Sequence, residues 1–312
     1  NRLSVSFGQV AHYETLPTGF NELCQSNLPN VVTDLGGVDK PYERIAIVTD
    51  TETNIEATLA AAEDWTDYIR WFKNITNVES HMVVFSDDSS NELSFDDAAA
   101  AKAAKRSLSG TDTWLGVSWR TGANYGCVTG TISHTNGAAT TVTHSLSSSD
   151  VLIVLRRTDA GSQWFTYHPK LTSGDLVYLD ALTGETLDAA ITNLTSDAFD
   201  IDAGEPTGTY RYIVWRADPG YLDLGTHTGN AATDGVFITG TGNGALVILK
   251  DQNNTSAAGS WNTWLNVFDN ANGNSVWLNT TNAALGNLGD TLSTGFKARS
   301  SNSGMNGAHA YI

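Results

Sequence analysis

Cysteine is nearly missing: Cys24 and Cys127 are the two that the 312-residue chain contains. They stand about a hundred residues apart, so there is neither a disulfide framework nor a CxxC metal site. Two buried free thiols are expected, and a single long-range bridge would require Cβ atoms within about 4 Å. Charge is scarce and one-sided. Asp, Glu, Lys and Arg make up 16% of the residues, and 34 acidic against 17 basic residues give a formal net charge of −17. That balance argues against a coat for duplex nucleic acid. Long apolar runs are also missing. The longest, Val151 to Leu155 and Ala245 to Leu249, are five residues, against the roughly 20 of a membrane helix, so no membrane insertion is expected. The opening Asn1 to Val10 has neither the charged region nor the apolar region of a leader, and the chain is expected to begin inside a longer polypeptide. The metallohydrolase helix HExxH, the phosphate loop GxxxxGK[ST] and the nucleophile elbow GxSxG do not occur. No catalytic residue, cofactor or metal is expected, and the chain is read as not an enzyme.

What is present is a neutral, polar, β-rich text. Apolar residues reach 40% and glycines number 29, enough for cores joined by many turns. A weak triplication runs through it. Asp67 to Asn74, Asp150 to Arg157 and Ala245 to Gln252 each read as an apolar strand ending on a cation: Lys73, Arg156 or Arg157, and Lys250. These cations are expected where the strand meets solvent. An aromatic strand follows each, from Ser80, Ser162 and Trp261, then a short third strand (NELSFDD, GDLVYLDAL, NSVWLNTTN), and finally a closing strand from Thr111, from Thr207 and at the end of the chain. Alternating polarity between Gly, Asn and Asp is the pattern of half-buried strands, and a spacing of roughly 85 to 95 residues suits small sandwiches.

The expected fold is mainly β, with tandem β-sandwich-like units and short inserted helices. Residues 1–39 are read as the end of an upstream β-sandwich plus a linker, 40–121 as unit 1 with a helical insert, 122–218 as unit 2, and 219–312 as a C-terminally incomplete unit 3. Ile55 to Trp65 carries apolar residues at helical spacing. Asp96 to Leu108 is alanine-rich enough to predict a helix behind an acidic cap, and Gly184 to Leu194 and Asn282 to Leu288 are read as short helical or turn stretches.

The order of motifs resembles a known family. Phe7-Gly8-Gln9, Tyr13, Pro17-Thr18-Gly19-Phe20, Leu23 and Asn27-Leu28-Pro29 form one signature. Gly220 to Gly240, ALVILK from Ala245 and Ser293 to Ile312 form the second. On these residues the chain resembles large virion proteins of tailed bacteriophages, tail-fibre or minor structural proteins, in which the first string follows a SPRY-like sandwich. The resemblance implies a structural part of the virion, a tail fibre or tail-associated adhesin contributing to host attachment. A fibre-borne glycan hydrolase and a secreted glycan-binding module are the alternatives. Expected partners are other copies of the chain as a homotrimer, other virion proteins, and a host surface glycan or protein.

Candidate contact residues follow from loop chemistry, because recognition concentrates on loops held by a scaffold. Asp251 to Ser260, Asn270 to Ser275 and Ser300 to Gly307 are the long polar loops of the third unit. In them Asn253, Asn254, Asn272 and Asn302 offer amides to a sugar or peptide, and Trp261 beside the first loop offers a stacking face. Trp71, Trp164, Trp264 and Trp277 lie on expected strands and are read as core. The adjacent acids Asp87-Asp88 and Asp96-Asp97, with Asp200, Asp202 and Glu205, are the carboxylates a glycosidase or a Ca²⁺ ion would need; turn and cap roles are the plainer reading. His134 and His144 are the one histidine pair close in sequence. Gly240, Gly242 and Gly244 precede a strand and are read as a hairpin turn.

Overall fold

The computed structural model describes residues 44–312, except 64, 103, 241–245, 254–260, 266–274, 283–288, 293 and 302–303. The first sheet is made of β1 (Ile45–Thr51), β2 (Tyr68–Asn74), β3 (Met82–Phe85), β4 (Asp88–Leu93) and β5 (Thr113–Arg120), with α1 (Ile55–Ala62) between β1 and β2. The middle region holds β6 (Cys127–His134), β7 (Thr140–Thr143), β8 (Val151–Arg157), β9 (Phe165–Tyr167), β10 (Asp175–Tyr178), β11 (Thr186–Leu187), β12 (Ile191–Thr192), β13 (Ala198–Ile201) and β14 (Gly208–Arg216). The last region holds β15 (His227–Thr228), β16 (Phe237–Thr239), β17 (Leu246–Leu249), β18 (Asn262–Leu265), β19 (Ser275–Trp277), β20 (Gly289–Leu292), β21 (Gly295–Ala298) and β22 (Ala310–Tyr311). All the pairings are antiparallel, and the protein is mainly β.

One five-strand arrangement recurs three times. The first sheet runs β1-β5-β2-β3-β4, and the second runs β6-β14-β8-β9-β10, extended by β11. In the third, β15-β22 and β17-β18-β19 are joined where the backbones of Lys250 and Ile312 exchange hydrogen bonds of 2.9 and 3.0 Å. Register fixes the equivalences. Lys73 lies opposite Leu115, Arg156 opposite Arg211, and Lys250 opposite Ile312.

The apolar strands are buried on both faces, which is why they read as near-continuous runs. On β8, Val151, Ile153 and Leu155 enter one core while Val154 enters another. The inner faces of the three sheets share a single core. Ile69, Trp71, Leu93 and Val117 meet Val154, Trp164, Val177 and Ile213, and these meet Trp261, Val276, Leu278 and Ile312. Each outer face has its own cover. Ile55 and Leu59 of α1, one turn apart on one side of the helix, pack with Phe72 and Trp114. The sheet β12-β13-β7 closes a sandwich over β8 and β14, and in the third region Met305 and Phe296 of β21 lie against Val247 and Leu249.

Gly116 shows how tightly α1 is seated. A Cβ there would stand 3.2 Å from Leu59 Cδ2 and 3.4 Å from Ile55 Cδ1. Gly116→Val should therefore lift the helix and cost about 1–3 kcal/mol, read as a lower denaturant midpoint with little change in slope.

The helix expected over Asp96 to Leu108 does not form. Its backbone is spent on neighbours: Ala101 N–H donates to Thr158 O, Ala98 O accepts from Ser162 N–H, and Lys102 pairs with Glu92. Hydrogen bonds to two other segments replace the helical ladder, and alanine propensity, a few tenths of a kcal/mol per residue, is overridden. α1 is the one α-helix among the described residues. Within Gly184 to Leu194 the chain forms β11 and β12 instead, and residues 283–288 of the other expected stretch lie outside the described residues. Cys127 is buried and free, with burial pushing its thiol up; Cys24 lies outside the described residues.

Candidate functional site

The strand-end cations are not in solvent. Lys73, Arg156 and Lys250 each have 0% exposure, and each reaches the next sheet. Lys73 Nζ donates to Thr280 O at 3.2 Å, Arg156 Nη1 to Asp97 O at 2.8 Å, and Lys250 Nζ to Ala181 O at 3.0 Å. Asp97, Ala181 and Thr280 stand at equivalent positions, four residues after the core residues Leu93, Val177 and Val276. The first sheet thus clasps the third, the third clasps the second, and the second clasps the first. The correction has a simple cause: a cation at a strand end shows its type in sequence, but not the carbonyl beyond it.

A second set of positions runs parallel to the first. His81, Trp164 and Trp261 occupy one register place, two residues before Val83, Thr166 and Thr263, which face Trp71, Val154 and Ile248. Trp164 Nε1 donates to Ser94 O and Trp261 Nε1 to Tyr178 O, both at 2.8 Å. His81 replaces tryptophan in the first sheet. Its Nδ1 accepts from Trp71 Nε1 at 3.1 Å, so Nε2 carries the proton and donates to Thr280 O at 2.9 Å. The backbone N–H groups of His81, Trp164 and Trp261 donate in turn to Asp96, Asp180 and Asn279 side chains at 2.9, 2.9 and 3.0 Å. The triplet Asp96, Asp180, Asn279 was missed in sequence, where Asp96 is read as a cap; the signal that could have found it is that each follows a core residue in SFD, YLD and WLN.

Burial sets the electrostatics. It lowers Lys73 to about 8 and Lys250 to about 7, opposed by Asp96 and Glu79 at Lys73 and by Asp251 and Asp180 at Lys250. Burial, with the charge of Lys73, drives His81 down to about 3, so it is neutral. Arg156 is lowered by burial, and its Nε and Nη2 have no hydrogen-bond partner, although Asp97 Oδ1 lies 3.7 Å from Nη2. Asp180 is raised by burial. Nothing in this arrangement presents a nucleophile to solvent; its polar groups hold sheet to sheet.

The expected contact residues fare differently. Trp261 is 5% exposed and fills the shared core, with the Lys250 ammonium 5.7 Å from its ring, so it cannot stack on a sugar. Asn253 is exposed, and its Oδ1 accepts from Ala310 N–H at 3.2 Å. Asn254, Asn272 and Asn302 lie outside the described residues. Of the loop Ser300 to Gly307, residues 304–307 are buried, with Asn306 bridging to Asn230 and Ala232, so this stretch is packing rather than display. Trp71 and Trp164 are core as expected.

The carboxylates are spread over separate tasks. Asp87 pairs with Arg211, Asp88 accepts from Asn91, and Asp96 also accepts from Ser94. Asp200 accepts from Thr141 and Asn193, and Asp202 from the Gly204 N–H. His134 spends both ring nitrogens on Thr140 and the Glu205 carbonyl, which leaves it no lone pair for a metal shared with His144.

These features define a β protein of three repeated sheets closed on one another by buried cations. The family model described as "Domain of unknown function (DUF7483)" matches residues 116–312, and the chain belongs to that family. No curated protein and no solved structure matches it significantly.

Proposed function

We propose that this chain is a non-catalytic structural part of a bacteriophage virion, a tail fibre or tail-associated adhesin that contributes to host attachment. The observation that carries the reading is the ring of Lys73, Arg156 and Lys250, whose buried side chains tie the three sheets to one another. The resemblance of the two end signatures to tail proteins supplies the setting. Rigid bodies with loops at their ends suit an appendage that must hold a contact surface in place. Immunogold labelling of intact virions with antibody to the purified protein is the test. Label on the tail is expected, and label confined to host-cell fractions would overturn the reading. A homotrimer belongs to the same proposal, and mass photometry at micromolar concentration reads it directly against the 33.3 kDa of one chain.

A fibre-borne glycan hydrolase is the second reading, and Glu205 favours it. Burial and the nearby charge of Asp188 raise its carboxyl above the ordinary range, the condition a general acid needs. New reducing ends from host envelope polysaccharide, lost in Glu205→Gln, would establish this activity and displace the first reading.

A further inference from the structure

One position breaks the threefold pattern with a charge. Opposite the buried cation, the first sheet has Leu115 and the third has Ile312, whereas the second has Arg211. Arg211 is 3% exposed and lies over the Phe85 ring of the first sheet at 4.2 Å. An aliphatic side chain would close this seam as it does elsewhere. Instead a cavity of about 140 Å³ opens between the first and second sheets, with Phe85, Asp88, Asn91, Glu92, Thr131 and Arg211 in its wall.

We propose that this cavity binds one neutral hexose unit of a surface glycan, an inference that rests on the adhesin reading. The volume falls well below the roughly 300 to 1,000 Å³ of sites for drug-sized ligands, which suits a single sugar residue. Arg211 and Glu92 of the wall have charged partners, whereas Asp88 accepts from the neutral Asn91 amide and has no cationic partner among the described residues. Arg211 Nη1 meets both oxygens of Asp87 at 2.8 Å, and Glu92 is paired with Lys102 and Arg106. An acidic ligand would meet the Asp88 carboxylate unfavourably, whereas hydroxyl groups can donate to it. Among the described residues, Arg211 Nε and Nη2, Asn91 Oδ1 and Thr131 Oγ1 have no protein partner. Together they offer donors and acceptors of the kind that vicinal hydroxyls satisfy. Thr131 is the exposed residue among those named in the wall and sits on the edge strand β6.

The test uses the full chain, with D-glucose, D-galactose and D-mannose as neutral probes and N-acetylneuraminic acid as the acidic comparison. Binding is followed by chemical-shift titration of the backbone amide signals and of the Asn91 side-chain amide, which both variants retain. At least one neutral hexose is expected to give saturable shifts. Arg211→Leu, which installs the first sheet's own residue, should weaken binding about tenfold or more while the amide spectrum remains that of the folded chain. Thr131→Trp, altering an exposed site, should block entry to the same extent. Saturable shifts with no neutral hexose, binding of the acidic sugar alone, or undiminished binding in both variants would overturn the proposal. Sugar binding lost with virion tail labelling intact condemns the cavity alone; missing tail labelling condemns the wider reading.

Discussion

Replacing Arg156 with alanine should destabilise the protein by about 3–5 kcal/mol, the largest effect expected from any one of the clasping residues. Three losses combine. The Ser94 and Asp97 carbonyls lose charge-assisted donors at 3.0 and 2.8 Å; the Trp164 ring loses the guanidinium 4.8 Å above it; and a void is left where the side chain was fully enclosed. Arg156→Met is the informative comparison, since buried charges exchanged for apolar side chains of similar volume often cost little. Equilibrium denaturation of both variants measures the difference. If methionine costs little where alanine costs about 3–5 kcal/mol, packing rather than the clasp carries Arg156, whereas equal costs assign the loss to the missing donors; if alanine costs under about 1 kcal/mol the residue is not holding the sheets together.

Stability should fall as the pH is lowered from 6.5 to 4, and rise between pH 7 and 10. His81 and His168 are depressed to about 3 and about 4, in both cases chiefly by burial, and His144 and His227 are lowered for the same reason. Each binds its proton in the unfolded chain near the ordinary 6.5 but resists it in the folded one. Their contribution is therefore complete above that value and is lost as the pH drops toward the folded values. His168 alone accounts for on the order of 3 kcal/mol by pH 4.

On the alkaline side the sign follows from the lysines. Lys73 and Lys250, at about 8 and about 7 when folded, release their protons before an unfolded lysine does, so the folded state gains as the pH climbs toward 10. Beyond that the tyrosines reverse the trend, with Tyr210 and Tyr311 held up at about 12 by burial. Thermal melts across this range should show the maximum on the alkaline side of neutrality. A maximum near pH 5 would contradict it, and His168→Phe should flatten the acidic limb.

The repeat was legible because both faces of β2, β8 and β17 are buried, which writes them as apolar runs ending in a cation. Trp71 and Trp164 could be placed in the core for the same reason. What escaped were features decided by another part of the chain. Asp96 to Leu108 carries the composition of a helix, yet Ala98 and Ala101 bond to Ser162 and Thr158, partners about sixty residues away that no local pattern announces. Trp261 looked exposed because a polar loop precedes it, although its equivalents in the other two sheets are the buried Trp164 and His81. Arg211 passed unnoticed since its place inside β14 is set by register and not by local pattern; only the threefold alignment shows it standing where Leu115 and Ile312 do.

The Lys73 and His81 bonds to Thr280 join residues about two hundred positions apart, and this has a bearing on synthesis. Chains emerge from the ribosome at roughly 5–20 residues per second, so for many seconds the earliest sheet exists with the Lys73 and His81 bonds to Thr280 unmade and the apolar face around Trp71 uncovered. Closure of the first sheet therefore waits on synthesis of the third. Long-range closure of this sort slows folding and makes nascent fragments prone to self-association, and a polypeptide stopped before Thr280 should accumulate as aggregate or chaperone-bound material rather than as a free-standing, shorter version of the same molecule.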